Sequence, residues 1–151
     1  MRPRAVRTVV GLLLLVLALP LLTGCGRLSK KEYIKKADAI CRQSNTVSAK
    51  TPVPDKKNVR ATADYLRANA TLLIAQADSI DRLKAPKQDQ PRLHDVFQRQ
   101  RDALKVLQDA ANQFQLGNTD IAQATANNAN TALVEVRGDL QGYGFQDCAN
   151  Q

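Results

Sequence analysis

VRATADYLRANATLLIAQADSI, residues 59 to 80, decides the fold. Its apolar positions Val59, Ala63, Leu66, Ala70, Leu73, Ala77 and Ile80 step by four and three in turn. That spacing lines up side chains on one stripe of an α-helix, whereas a half-buried strand would need strict alternation. Alanines alternate with bulkier residues along the stripe, so a neighbouring backbone can come close at every second contact. Asp55 is placed to cap the segment and Pro86 to end it.

The segments on either side repeat the pattern. Ser29-Lys30-Lys31-Glu32 is S-x-x-E, the reciprocal cap of a helix start. After it Tyr33, Ala37, Ile40, Ser44 and Val47 share one face, and TPVP at 51 to 54 stops the run. Beyond Pro86, Asp89 and Pro91 suit the opening of a third helix with Leu93, Phe97, Gln100, Leu104, Leu107, Ala111 and Phe114 on one side. Gly117 suits its C-terminal cap, and Asn118, Thr119 or Asp120 the next start. A fourth stripe follows through Ala122, Ala126, Ala129, Leu133, Val136, Leu140 and Tyr143, until Gly142 and Gly144 loosen the chain. Short connections cannot return the chain along a long helix, so successive helices run antiparallel. The expectation is an all-α domain, a single up-down-up-down four-helix bundle. Alanines of the second and fourth helices admit close approach, with Leu and Phe of the first and third filling between.

The N-terminus has a different character. Arg2, Arg4 and Arg7 precede VVGLLLLVLALPLL, residues 9 to 22, which is shorter than the roughly 20 residues a helix needs to cross a bilayer. A basic start, a short apolar run and small residues make an export signal. Leu22-Thr23-Gly24-Cys25 resembles the lipobox of bacterial lipoproteins. In that class the cysteine thiol is acylated and becomes the new N-terminus. The resemblance implies a signal peptide at 1–24, a lipidated tether at 25–28 and a bundle domain at 29–151, held on the outer face of the cytoplasmic membrane. An ordinary signal peptide and an uncleaved anchor helix are the alternatives.

The whole chain carries +8, from 22 Lys and Arg against 14 Asp and Glu. Loss of the three leading arginines leaves +5. This is a moderate charge, suited to anionic lipid or cell-wall polymer and far from the dense stripe of a nucleic-acid binder. With Cys25 acylated, Cys41 and Cys148 remain, and in an exported chain they form a disulfide; two buried thiols are the alternative. Closing so long a loop stabilises by up to about 4.7 kcal/mol in the chain-entropy model. To reach Cys41, the tail from Gly142 to Cys148 is expected to extend and fold back along the first helix, with Phe145 covering the groove.

Tyr33, Ile34, Ala37, Asp38, Ile40 and Cys41, taken with Tyr143, Gly144 and Cys148, resemble the end segments of a group of small secreted helical proteins and lipoproteins of actinobacteria. What this implies is a helical domain closed by Cys41 and Cys148, with no activity attached.

Little in the sequence points to catalysis. His94 is the single histidine and has no metal-ligand spacing around it. No glycine motif frames a serine nucleophile, and no phosphate loop, EF-hand or H-E-x-x-H occurs. Asp78 with Asp81, and Asp95 with Asp102, read as solvated ion-pairing carboxylates among Arg and Lys. The amide-rich TANNANTA, 125 to 132, reads as an exposed helix face. Neither metal nor cofactor is expected. Lys30, Lys31, Lys35 and Lys36 form a basic cluster close to Cys25, and Lys50, Lys56, Lys57 and Arg60 a second at the far end. The expected function is a non-enzymatic, membrane-anchored interaction or envelope-associated module, with a protein partner at the distal lysines as one option. The alternative is a small-ligand carrier or sensor with a pocket between helices, for which Gln100 at a core position is the only hint.

Overall fold

The computed structural model describes residues 26–150 apart from position 56. The signal peptide, the acylation of Cys25 and the Lys56 contribution to the distal cluster lie outside the described residues. Four helices follow in order: α1 (Lys30–Ala49), α2 (Val59–Asp81), α3 (Gln90–Gln115) and α4 (Thr119–Tyr143). They form an up-down-up-down bundle packed in sequence, α1 on α2, α2 on α3 and α3 on α4. Among the described residues α1 and α4 make no close backbone approach. The bundle is therefore open on that side, and the tail after α4 fills the opening.

Helices α1 and α2 begin where a side chain accepts from a backbone amide, whereas α3 and α4 have no side-chain cap bond. At α1 the Ser29 side chain accepts from the Glu32 amide, and the Glu32 carboxylate accepts from the Ser29 amide at 3.0 Å. These hydrogen bonds hold the Glu32 carboxyl below the usual carboxylate range. A depressed folded-state pKa means that this cap contributes at neutral pH and is lost on acidification through that range. Helix α2 departs from expectation, because its cap is Asn58, whose side chain accepts from the Ala61 amide at 3.0 Å. Asp55 instead closes the turn before it, accepting from the Lys57 amide. Nor does Pro86 end α2, which stops at Asp81. The chain turns there so that Ala85 can enter the core, with Leu83 packed against it.

The alanine stripes do what small residues permit. Ala63, Ala70 and Ala77 of α2 and Ala122 and Ala129 of α4 are buried, and Ala103, Ala110 and Ala111 of α3 join them. Close approach thus runs through α3 as the central helix, since α2 and α4 do not meet. The large buried side chains gather at the other end of the molecule. Tyr33, Phe97, Tyr143 and Phe145 pack together, with Phe145 edge-on to Tyr33 and Phe97 at centroid distances of 6.0 and 6.3 Å. Edge-to-face contacts of this kind add to the stabilisation from burial itself.

Helix α4 does not fray at Gly142 but continues to Tyr143. The reversal belongs to Gly144 alone, at φ +112°. Its amide bonds the Gln141 carbonyl and the Phe145 amide bonds the Leu140 carbonyl, a Schellman closure. The tail that follows is a compact turn over 146–149, where an extended strand was expected. Extension is unnecessary because α4 ends beside Ile34, part of the way along α1.

This assigns opposite roles to two neighbouring glycines. In Gly144→Ala, a side chain forced into the left-handed region, with its Cβ 3.4 Å from Ile34 Cδ1, should destabilise by about 1–2 kcal/mol. Gly142→Ala, in open space on a helix, should be neutral or stabilise by up to about 1 kcal/mol. Urea denaturation of the two variants reads the difference.

Candidate functional site

One face of α1 grips the tail through four residues at helical spacing. Asp38 is buried, and its carboxylate accepts from the Gln146 amide at 3.1 Å and the Cys148 amide at 3.1 Å. Cys41 is bonded to Cys148, with Cα atoms 5.1 Å apart. Arg42 pairs with the Asp147 carboxylate at 2.6 Å, and Asn45 donates to the Asp147 carbonyl at 3.2 Å. Positions 38, 41, 42 and 45 fall on one side of a helix, so a single rigid element holds the tail at four points. Asp38 carries weight because a buried carboxylate needs donors, and the turn at 146–148 supplies backbone amides that would otherwise lack an acceptor.

Beneath the clasp, burial pushes the Tyr33 hydroxyl well above the usual tyrosine range, with the Asp81 charge adding to it. Burial does the same to Tyr143, followed by its hydrogen bond to Asp89 at 2.7 Å. Both phenols stay protonated, and Tyr143 acts as a donor that ties the end of α4 to the start of α3. Asp89 therefore flanks α3 as expected, but its side chain serves Tyr143 and makes no cap bond within its own helix.

The Asp78 and Asp81 pair proves less solvated than its sequence context implied. Both face Arg101, a guanidinium with only 10% of its side chain exposed, at 3.4 and 3.2 Å, and Gln98 accepts from it at 2.9 Å. His94 joins through its Nδ1, 3.0 Å from Asp81. An imidazole on a carboxylate is half of a catalytic triad, yet no serine or cysteine side chain bonds this ring among the described residues. The group acts as a polar seam between α2 and α3. Asp95 and Asp102 remain exposed, on Arg99 and Lys105 respectively. Arg99 also reaches Asp139 of α4 at 2.6 Å.

The four lysines of α1 do not form one patch. At 100° per residue, Lys30, Lys31, Lys35 and Lys36 fan around the helix, and Lys30 lies over the Tyr143 ring at 4.3 Å. What gathers beside Lys30 comes from elsewhere in the chain. The Leu28 amide donates to the Lys84 carbonyl at 2.8 Å, and Arg27 donates to the Ala85 carbonyl at 3.1 Å and to the Gln90 side chain. The tether residues are thus fastened to the α2–α3 connection, which brings Lys84 and Lys87 to the start of α1. At the opposite end exposed Lys50, Lys57 and Arg60 accompany exposed Val53, Leu116 and Ile121. There Val59, Arg60, Phe114 and Gly117 border an open cleft of about 570 Å³.

Gln100 is buried, and its Oε1 has no hydrogen-bond partner. It faces a cavity of about 40 Å³ between α2, α3 and α4, bordered by Leu73, Leu133, Val136, Leu140 and Cys148. That volume takes a water or two and falls well short of the roughly 300 Å³ typical of ligand pockets. On the amide-rich stretch of α4, Asn128, Ala129 and Ala132 border a shallow groove against α3, open to solvent.

Asp38, Arg101 and the Lys84–Lys87 pair are the residues that reading the sequence undervalued. The signals for Asp38 were its place one turn before Cys41 and its part in the resemblance of the end segments. Comparison with protein-family models, with curated proteins and with solved structures finds no match to this chain.

Substitutions at two positions test these assignments. Asp38→Ala, which strips the acceptor from two tail amides, should lower the stability of the oxidised protein by about 2–3 kcal/mol, and Asp38→Asn, which keeps one acceptor oxygen, by less. Gln100→Met, which removes the unpartnered oxygen and fills the cavity, should raise stability by about 1 kcal/mol. Denaturant midpoints measure both.

Proposed function

We propose that the protein is a lipid-anchored module of the cell envelope, acylated at Cys25, exposed on the outer face of the cytoplasmic membrane, and acting by contact with other molecules. The observation that carries this reading is the LTGC stretch at 22–25, set after a basic start and an apolar run too short to span a bilayer. Two features of the domain support it. Cys41 and Cys148 are joined, as suits an oxidising compartment. Tyr33, Asp38 and Cys41, taken with Tyr143, Gly144 and Cys148, resemble the end segments of small secreted proteins and lipoproteins of actinobacteria, and in this chain Asp38, Cys41 and Cys148 make the clasp.

Contact is favoured over carriage by the size of the Gln100 cavity, which suits solvent better than a metabolite. It is favoured over catalysis by the use of His94, Asp81 and Arg101 as a seam between helices. The distal tip, where unpaired cations border exposed apolar residues, is the surface best placed for a partner beyond the membrane.

Intact mass of the protein extracted from membranes decides the anchor. The expected polypeptide begins at Cys25, carries a diacylglyceryl mass and gains two hydrogens on reduction. A chain that starts at Met1, or one that leaves the membrane in salt wash without acyl mass, overturns the reading.

A further inference from the structure

The end of the bundle nearest Cys25 is built in a way the tether alone does not require. Four residues between an acylated cysteine and a helix start would act as a leash with a reach of about 13 Å. Here the leash is fastened down. Leu28 bonds the Lys84 carbonyl and Arg27 bonds the Ala85 carbonyl and the Gln90 side chain, so only Gly26 separates the clamp from Cys25. The slack falls to about 7 Å, the span of two residues. An acyl chain on Cys25 therefore sets the bundle on one chosen end.

That end carries Arg27, Lys30, Lys31, Lys84, Lys87 and Arg92. All are exposed, and among the described residues none is in an ion pair with a carboxylate. The cations that are paired, Arg42, Arg67, Arg99, Arg101 and Lys105, belong to the body of the helices. Carboxylates at the same end are fewer and turned to internal use: Glu32 in the cap of α1, Asp89 on Tyr143, Asp81 on Arg101 and His94. An exposed cation acts on a charged surface over about one Debye length, roughly 10 Å, so a short leash is what would let these residues act on it.

We propose that the start of α1 and the α2–α3 connection form a docking face for an anionic lipid surface, and that the Arg27–Leu28 clamp fixes the bundle upright on it. The proposal rests on the lipid-anchor reading and adds an orientation and a lipid preference to it. Each cation brought to an anionic surface strengthens partitioning by roughly fivefold, so a few suffice to hold the tilt once the acyl chains hold the molecule. Helix α3, with 26 residues at about 1.5 Å each, then carries the distal cleft and its exposed Leu116 some 40 Å away from the headgroups.

The test uses the membrane-extracted protein, reconstituted on vesicles of phosphatidylcholine alone or of an equal mixture with phosphatidylglycerol. A membrane-impermeant amine reagent reports lysine exposure by mass spectrometry. Labelling of Lys30, Lys31, Lys84 and Lys87 is expected to fall by roughly fivefold on the mixed vesicles only and to return in high salt, while Lys50, Lys57 and Lys105 stay unchanged. The double variant Lys84→Gln, Lys87→Gln keeps the carbonyl that holds Leu28 and should abolish the lipid-dependent protection of Lys30 and Lys31. Equal labelling on both vesicles by acylated protein overturns the docking face and leaves the anchor standing. Salt-sensitive protection of a chain that carries no acyl mass overturns the anchor and leaves the face. Saturable binding of an acidic protein to these lysines without any response to phosphatidylglycerol assigns the face to a protein and overturns the lipid.

Discussion

Helix α1 comes into close backbone approach with a single neighbour, α2, and a helix seated along one such seam gains from a second attachment. The tail supplies it. The Asp38 carboxylate takes up the amides of Gln146 and Cys148, and the bond from Cys41 to Cys148 makes the attachment covalent. Phe145 is carried into the opening between α1 and α4 by the same turn, where it meets Tyr33 and Phe97. Without this clasp the aromatic cluster would lose its lid, and α1 would be left with its contacts to α2.

The clasp also orders the molecule along its length. Aromatic packing, the covalent link and the polar seam around Arg101 lie toward the end that carries the tether. Small alanine contacts dominate toward the other end, where Val59 and Phe114 border an open cleft and Leu116 and Ile121 are exposed. The unpartnered oxygen of Gln100 lies between the two regions and brings a small cavity into the core without opening a binding site.

Much of this was legible in residue spacing. Four stripes at steps of four and three gave four helices, S-x-x-E placed the first start, and Gly117 sat past the end of α3 as its type suggests. Short connections gave the antiparallel order, and with Cys25 read as acylated the two remaining cysteines had one pairing. Caps with competing candidates were less legible. Asp55 and Asn58 are both good caps in isolation, and in the fold Asn58 takes the cap while Asp55 closes the turn before it. The Lys30, Lys31, Lys35 and Lys36 cluster was visible as adjacent letters, but helix geometry distributes those letters around a cylinder.

Sequence alone determined the helices, their order and the bond that closes the domain, because each rests on local periodicity or on a pairing with one solution. Only the tertiary structure decided that α1 and α4 stand apart, that Asp38 is buried as an acceptor, and that Arg27 and Leu28 bring Lys84 and Lys87 beside the start of α1. Those outcomes depend on which backbone amides are left without partners once the helices have packed. No single segment carries that information, since donor and acceptor lie 110 residues apart in the clasp and 58 in the clamp.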